Sequence, residues 1–181
     1  MSIHDDIQEI LYTEEELRDI VKRLGQRISE DYKDKNLFMV AALKGAVVFM
    51  ADLMRAIDIP CAIDFLSLSS YGSGTSTSGE VQVRKDLDVQ LEGRDLLVVE
   101  DILDSGVTLS FLLKTLSARN PKSIRLCTLL DKPERRKVPI TPDYTGAIVP
   151  DKFIVGYGLD YAEKYRNLPY IGVLKPEIYE N

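Results

Sequence analysis

Three carboxylates stand close together between residues 98 and 108, which read VVEDILDSGVT. Glu100 and Asp101 follow an apolar run, and Asp104 comes three residues later. Negative charges at this spacing repel one another unless something neutralises them. Hydroxyl groups that donate hydrogen bonds to carboxylates would relieve the repulsion, and so would Mg²⁺. The pattern therefore predicts a site for a hydroxylated ligand, a divalent cation or both.

Immediately after these carboxylates the sequence changes to residue types that hold phosphate. Ser105, Gly106 and Thr108 lie at the predicted N-terminus of a helix. Backbone N–H groups and hydroxyls at a helix start bind anions, and a glycine lets the backbone approach the ligand closely. Carboxylates followed by a phosphate cradle are the layout that a sugar 5-phosphate requires.

A purely structural explanation accounts for only part of this segment. Asp and Ser are common helix N-caps, so capping explains Asp104 or Ser105. It does not explain Glu100 and Asp101, which come at the end of an apolar strand. We therefore interpret residues 98–108 as a functional strand-to-helix turn.

The surrounding sequence alternates between helix and strand patterns. A capping box at Thr13 opens a first helix with an apolar stripe at Leu17, Ile20, Val21, Leu24 and Ile28. Further helices are predicted at residues 46–57 and 107–118. Strands are predicted at residues 36–43, 60–68, 96–99 and 124–130, with shorter candidates at 81–83, 153–155 and 171–174.

Several predicted strands are continuous apolar runs, which is typical of strands buried on both faces. Together with the alternating helices they predict an α/β fold with an open, mostly parallel sheet flanked by helices. Ligands in such sheets bind beyond the carboxyl ends of the strands. The loops after Leu43, Val99 and Leu130 are the candidates by position.

The overall composition is that of a globular protein, with 45% hydrophobic and 29% charged residues. The formal net charge is -6, which argues against a general binder of nucleic acid or of anionic membranes. A local cationic pocket for one small anion remains compatible with that charge. The acidic start predicts no signal peptide, and no apolar stretch has the length of a membrane span.

Cysteine and histidine are scarce. Cys61 and Cys127 lie in apolar, strand-like runs, so we expect buried free thiols and a cytoplasmic location. The single histidine, His4, belongs to a polar N-terminal arm. This scarcity argues against a zinc-ligand set and against a histidine-based catalytic triad.

Residues 98–108 closely resemble the signature of the phosphoribosyltransferases that use phosphoribosyl diphosphate. Three further segments narrow the resemblance to the hypoxanthine-guanine phosphoribosyltransferases, especially the bacterial ones: LKGA at 43–46, LDK at 130–132 and PDKFIVGYGLDY at 150–161. The likeness runs from about Thr13 to Leu174. It implies the type I phosphoribosyltransferase fold as a single domain over residues 1–181, with a small hood formed by the terminal segments.

The resemblance implies the contacts to the ribose and its phosphate. Glu100 and Asp101 would hold the ribose hydroxyls, directly or through Mg²⁺. Asp160 would help to place the metal or meet the edge of the base. The 5-phosphate would be bound by Ser105, Gly106, Val107 and Thr108, of which Val107 can offer only its N–H.

The diphosphate contacts implied by the resemblance are Leu43, Lys44, Gly45 and Arg166. A cis peptide bond is expected between Leu43 and Lys44. A guanidinium fork suits phosphate oxygens, which fits the role of Arg166. The alternative for both cations is a solvated surface charge, but Lys44 interrupts an apolar run.

The base pocket follows from the same resemblance. Phe153 would stack on the purine, and backbone groups near Ile154 would read its edge. Lys132 would reach the oxygen at position 6, because a lysine only donates and so suits an oxo group better than an amino group. Asp104 would accept or share the proton at N7. Taken alone, Phe153 is more often a core residue.

Residues 69–79 are rich in Ser and Gly, a composition that by itself predicts a passive flexible loop. Tyr71 and the resemblance favour a lid instead. In that case Ser70 and Tyr71 would close over the site and exclude water.

The implied reaction transfers the phosphoribosyl group to hypoxanthine or guanine, giving IMP or GMP and diphosphate. Preference among hypoxanthine, guanine and xanthine stays open, and a homodimer or homotetramer is expected. One alternative is a regulator that binds RNA or another protein, like the pyrimidine-operon attenuators, whose basic RNA-binding face the charge of -6 does not favour. Another is a diphosphokinase that makes phosphoribosyl diphosphate, which normally needs a longer chain.

Overall fold

The computed structural model describes residues 2–70 and 81–180. Its strands are β1 (Ile7–Tyr12), β2 (Leu37–Leu43), β3 (Ala62–Ser70), β4 (Val81–Lys85), β5 (Asp95–Leu103), β6 (Ser123–Asp131), β7 (Tyr144–Ile148), β8 (Ile154–Val155) and β9 (Ile171–Leu174). Its helices are α1 (Glu14–Asp31), α2 (Val47–Ala56), α3 (Val107–Ser117) and α4 (Pro176–Tyr179).

Six strands form a central sheet in the order β4-β3-β2-β5-β6-β7. All neighbours in it run parallel except β4, which is antiparallel to β3 at one edge. Helices cover both faces of the central sheet, and β2 carries apolar side chains on each face. Met39 and Ala41 pack with α1 and α2, whereas Phe38 and Val40 point to the opposite face and pack with α3. The predicted open, mostly parallel α/β fold is confirmed.

The beginning of α1 is also as predicted. Thr13 is its N-cap, and its side chain accepts a hydrogen bond from the backbone N–H of Glu16. Glu16 in turn accepts from the N–H of Thr13 at 2.8 Å. This reciprocal pair fixes where the chain turns into the helix whose apolar stripe covers the sheet.

A small second sheet forms the hood, in the order β1-β9-β8 with antiparallel pairs. Its strands come from near both ends of the chain, as the resemblance implied. β1 itself was not predicted, because only part of its surface is covered and its residues show no clear alternation. It forms through pairing with β9, from Ile7 opposite Leu174 to Tyr12 opposite Ile171.

Two further details differ from the sequence-based expectation. β7 was not predicted; it is a short edge strand with little burial beyond Tyr144. β5 was expected to end at Val99 but continues to Leu103. Its pairing with β2 does stop at Val99, yet pairing with β6 goes on to Leu103 opposite Asp131. Glu100 therefore lies inside the strand and not in a turn.

Both cysteines are free thiols, as expected, but only Cys127 is fully buried and Cys61 is half-buried. Within the part of the chain that the structure describes, no helix has the length and apolar character needed to cross a membrane.

Candidate active site

The candidate site lies where the order of the central sheet reverses. The chain leaves β2 through α2 towards β3 on one side, and leaves β5 through α3 towards β6 on the other. The crevice between the carboxyl ends of two such strands is where open α/β sheets bind ligands. Residues 43–45 begin at the last residue of β2 and residues 104–108 follow β5, so the two predicted phosphate-binding segments meet at this crevice.

The turn after β2 packs directly on the carboxylates of β5. The peptide bond between Leu43 and Lys44 is cis, as predicted. A Cβ added to Gly45 would overlap Oδ2 of Asp101, so only glycine leaves room for that carboxylate. A Cβ at Gly158 would in turn overlap the carbonyl oxygen of Gly45. Three segments distant in sequence thus touch at one place.

The two adjacent carboxylates of β5 lie in poorly solvated positions. Because successive side chains of a strand point to opposite faces, Glu100 borders the cavity beside α3, whereas Asp101 faces Gly45. The pKa of Asp101 is raised to about 6, mainly by burial; the charge of Asp160 acts in the same direction, while backbone N–H groups and Arg166 oppose the shift. Burial also raises the pKa of Glu100 well above its ordinary value, and Asp101 adds to this effect. Both groups would be stabilised as anions by a cation or by hydroxyl donors.

The segment predicted to bind phosphate, residues 105–108, lies at the start of α3. Gly106 is the N-cap of α3 with φ of 79°, and a Cβ there would lie 2.6 Å from Ile140 Cγ2. The N-cap residue Gly106 has no side chain, but Oγ of Ser105 accepts a long hydrogen bond, 3.4 Å, from the N–H of Val107 at the first position of α3. The capping explanation therefore holds in part for Ser105, whereas Asp104 is not the N-cap. A cavity of about 150 Å³ at this helix start is lined by Glu100, Ile102, Leu103, Asp104, Ser105, Gly106, Thr108 and Leu109.

A second cavity, of about 360 Å³, adjoins the first at Asp104 and Ile102. It brings together the residues predicted to bind the base. Lys132 is 5% exposed and its Nζ donates to the carbonyl oxygen of Lys152 at 2.9 Å. Burial lowers the pKa of Lys132, although Asp104 and Asp151 oppose this. The lining consists of Ile102, Asp104, Lys132, Arg135, Asp151, Lys152, Phe153, Ile154, Leu159, Asp160 and Tyr179.

Asp104 borders both cavities, and its two carboxylate oxygens have different surroundings. Oδ2 lies 3.7 Å from Nη1 of Arg135, a loose ion pair. Oδ1 is buried and has no hydrogen-bond partner among the described residues. A buried acceptor without a donor is costly, so this oxygen suits a ligand that brings a proton to it.

The predicted diphosphate cations are joined by an acidic residue that the sequence did not single out. Lys44 Nζ donates to Glu163 at 2.7 Å, and Arg166 Nη2 contacts the same carboxylate at 3.3 Å. The pair of Lys44 and Glu163 is exposed and therefore contributes little stability. An incoming anion could replace Glu163 at both cations.

The three carboxylates expected to share a metal do not form one cluster. Asp160 pairs instead with Arg166 at 3.0 Å and accepts a hydrogen bond from the N–H of Glu163 at 2.9 Å. Over residues 2–70 and 81–180, no group of three or more His, Cys, Asp or Glu side chains could hold a metal ion. A cation bound by Glu100 or Asp101 would need further oxygen ligands from substrate or water.

One site residue that was not predicted from the sequence is Arg136, which contacts the turn after β5. Arg136 donates to the carbonyl oxygen of Asp104 at 3.0 Å and to that of Ile140 at 2.6 Å, and it also pairs with Asp131. It thereby ties the turn after β5 to the end of β6. A run of basic residues at 135–137 usually means a solvated surface, so no signal in the sequence indicated that this half-buried guanidinium contacts the turn.

The proposed lid falls mostly outside the described residues. Ser70 is the last residue of β3. Tyr71 lies outside the described residues, so the lid stays a prediction.

The contact between Gly45 and Asp101 leads to a first testable prediction. Gly45→Ala should raise the KM for phosphoribosyl diphosphate about tenfold, because overpacking costs about 1–3 kcal/mol and must displace Asp101. Gly25→Ala is the matched control, since its Cβ would lie 2.5 Å from the carbonyl oxygen of Ala56, where α1 meets α2. Gly25→Ala should lower the melting temperature and leave that KM unchanged. Equal KM values in both variants would contradict the predicted contact.

Comparison with known proteins agrees with this geometry. Residues 8–162 match the family described as "Phosphoribosyl transferase domain". A hypoxanthine-guanine phosphoribosyltransferase of Bacillus subtilis (strain 168) is 54% identical over 176 residues, which cover 97% of this chain and 98% of that protein. A crystal structure of a hypoxanthine phosphoribosyltransferase from Staphylococcus aureus has a TM-score of 0.96 at 50% identity, covering 99% of this chain and 97% of that one.

A longer relative shows the same similarity in part of its length. The bifunctional protein TilS/HprT of Listeria monocytogenes serotype 4b (strain F2365) is 54% identical over 178 residues, or 98% of this chain. The chain spans only 28% of the length of that protein.

Proposed function

The chain belongs to the phosphoribosyl transferase domain family, and we propose that it transfers the 5-phosphoribosyl group from phosphoribosyl diphosphate to hypoxanthine or guanine. The products are IMP or GMP and diphosphate. The observation that carries this proposal is the position of Asp104. Its unpartnered oxygen lies where a cavity suited to a ribose phosphate adjoins one suited to a flat base.

The donor substrate binds through the residues around β5. The N–H groups at the start of α3, with the hydroxyls of Ser105 and Thr108, hold the 5-phosphate. Glu100 and Asp101 accept hydrogen bonds from the ribose hydroxyls. Arg136 keeps the turn in place through the carbonyl oxygen of Asp104. These contacts orient the anomeric carbon towards the second cavity.

The leaving diphosphate is held by the turn after β2. Lys44 and Arg166 exchange their contacts with Glu163 for diphosphate oxygens. As the bond between the anomeric carbon and the diphosphate oxygen breaks, negative charge grows on that oxygen. Two fixed cations stabilise the charge as it develops. Lys44 is positioned by Gly45, which packs between Asp101 and Gly158.

The base occupies the cavity between Asp104 and the residues that follow β7. Lys132 donates to the oxo group at position 6, while Phe153 provides a stacking surface. N9 of the base forms the new bond to the anomeric carbon. The proton on N7 passes to or is shared with the free oxygen of Asp104, which balances the charge on the purine.

The donor set also fits Mg²⁺. Glu100 and Asp101 are oxygen ligands whose burial makes an opposing charge favourable. Mg²⁺ is usually bound by one or two carboxylates together with substrate oxygens and water, so a three-carboxylate cluster is not required. When bound, the ion would neutralise charge on the diphosphate and on these carboxylates.

A second prediction follows from this donor set. Turnover should disappear in excess chelator, because Glu100 and Asp101 would face a polyanionic donor without a neutralising charge. Turnover should return when Mg²⁺ is added in excess over the chelator. Full turnover in chelator alone would contradict the need for a cation.

Two further properties belong to the proposal. A cytoplasmic location is supported by the two free cysteines. A homodimer or homotetramer remains a prediction that sedimentation would test.

The proposed activity is tested by following diphosphate release with phosphoribosyl diphosphate, Mg²⁺ and each free base in turn. Release with hypoxanthine and guanine supports it. Binding of RNA in a filter assay over a salt series, without any diphosphate release, would favour a regulator instead.

A further inference from the structure

Phe153 is part of an aromatic cluster that extends from the base cavity into the hood. The ring of Tyr179 stacks on Phe153 with centroids 4.7 Å apart and planes at 20°. The ring of Tyr161 forms a T-shaped pair with Phe153, with centroids 5.4 Å apart and planes at 89°. These are the two geometries that aromatic rings favour, so both contacts fix the orientation of the Phe153 ring.

Tyr179 packs against the hood. It is the last residue of α4, which follows β9, and it packs against the hood cluster of Val155, Tyr165, Leu168 and Leu174. The N–H of Leu174 donates to the carbonyl oxygen of Phe153 at 2.9 Å. The N–H of Lys175 donates to the carbonyl oxygen of Asp6 at 3.0 Å, and its Nζ donates to the carbonyl oxygen of Asp5 at 2.6 Å. The start of α4 is thereby fixed relative to Phe153.

Phe153 remains partly open to the base cavity. The stack with Tyr179 covers one face of its ring from the hood side. Phe153 is still 38% exposed and lines the cavity, as does Ile102 of β5 in the central sheet. A flat base placed in this cavity can therefore contact both Phe153 and Ile102.

We propose that Tyr179 is a positioning residue for the base, which backs Phe153 and holds its ring as a rigid stacking surface. This inference rests on the proposed function. Without Tyr179, the Phe153 side chain would turn about its χ angles in the open cavity. The base would then have to order the Phe153 ring when it binds, and the affinity of the protein for the base would fall. Chemistry at the anomeric carbon and the phosphate contacts would be unaffected.

The experiment compares kcat and both KM values in the wild type and in Tyr179→Ala, Tyr179→Leu and Tyr179→Phe. Loss of the stack should raise the KM for hypoxanthine about threefold to tenfold in the Ala and Leu variants. Leucine keeps apolar contact with the hood, so it tests the stack even if the Ala variant folds poorly. Tyr179→Phe keeps the stack and should behave as the wild type.

The KM values for the two substrates separate positioning from general damage. The KM for phosphoribosyl diphosphate and kcat should not change. The KM for guanine should rise by the same factor as that for hypoxanthine, because a stacking surface does not read exocyclic groups. Tyr170→Ala is the matched control: Tyr170 packs against the same hood cluster, but its ring contact is with His4 at 5.6 Å. It should lower the melting temperature and leave the KM for hypoxanthine unchanged.

Three outcomes would overturn the inference in an active protein. An unchanged KM for hypoxanthine in Tyr179→Ala and Tyr179→Leu would show that Phe153 needs no backing. A lowered KM would show that Tyr179 occupies the place of the base. An equal rise in Tyr170→Ala would show that only the stability of the hood matters. A wild type that converts no purine would instead contradict the proposed function and remove the basis of this inference as well.

Discussion

Asp104→Asn is expected to lower turnover by at least about 100-fold, the lower end of what a general acid or base contributes. The substitution keeps the size of the side chain and the helix start, because the N-cap of α3 is Gly106. It removes the charge that accepts or shares the N7 proton at the unpartnered oxygen. Steady-state kinetics with hypoxanthine would measure the effect.

Binding of phosphoribosyl diphosphate should change much less in this variant, since the phosphate cradle lies mainly in Ser105, Gly106 and Thr108. Asp86→Asn is a suitable control. Asp86 is an exposed carboxylate paired with Arg119 at 2.8 Å, away from both cavities, and its loss should leave turnover near normal. Near-normal turnover in Asp104→Asn would remove Asp104 from the mechanism.

Adenine is expected to be a poor substrate, with a catalytic efficiency lower than that of hypoxanthine by up to about 10⁴-fold. Lys132 is buried and can only donate, so it pairs with an oxo group at position 6. An amino group at the same position is itself a donor. Both groups would then lose hydrogen bonds in a buried site.

Lys132→Met tests whether this residue is the cause. The variant should lose efficiency with hypoxanthine far more than with adenine, so the ratio between the two bases should shrink. Comparable efficiencies for the two bases in the wild type would mean that Lys132 does not contact position 6.

Local patterns were sufficient to predict most of the central sheet. β2 reads as a continuous apolar run because it is buried on both faces, and α1 opens with a capping box that the structure contains. β1 and β7 were not predicted, since each is only partly covered and depends on a partner strand distant in sequence. The true end of β5 depends on pairing with β6, which no local pattern reveals.

The residues of the candidate site could be named from the sequence, but the contacts that bring them together could not. The spacing of Asp104, Ser105 and Gly106 indicated a phosphate-binding turn. Nothing in the sequence showed that Gly45 packs on Asp101, or that Glu163 joins the two diphosphate cations. Such contacts arise only when the loops after different strands meet at one edge of the sheet.

The contact between α4 and Phe153 could not be predicted from the sequence, for the same reason. A lone aromatic at residue 179 has no local pattern that distinguishes it from an ordinary core residue. Its stack on Phe153 exists because β9 and β8 pair in the hood.

The most direct test of the proposed function is the identity and stoichiometry of the products. Incubation of the protein with hypoxanthine, phosphoribosyl diphosphate and Mg²⁺ should yield IMP, identified by mass. Diphosphate should appear in equal amount, and both should match the hypoxanthine consumed. Diphosphate released without consumption of base, or no conversion of hypoxanthine and guanine at all, would contradict a phosphoribosyl transfer to purines.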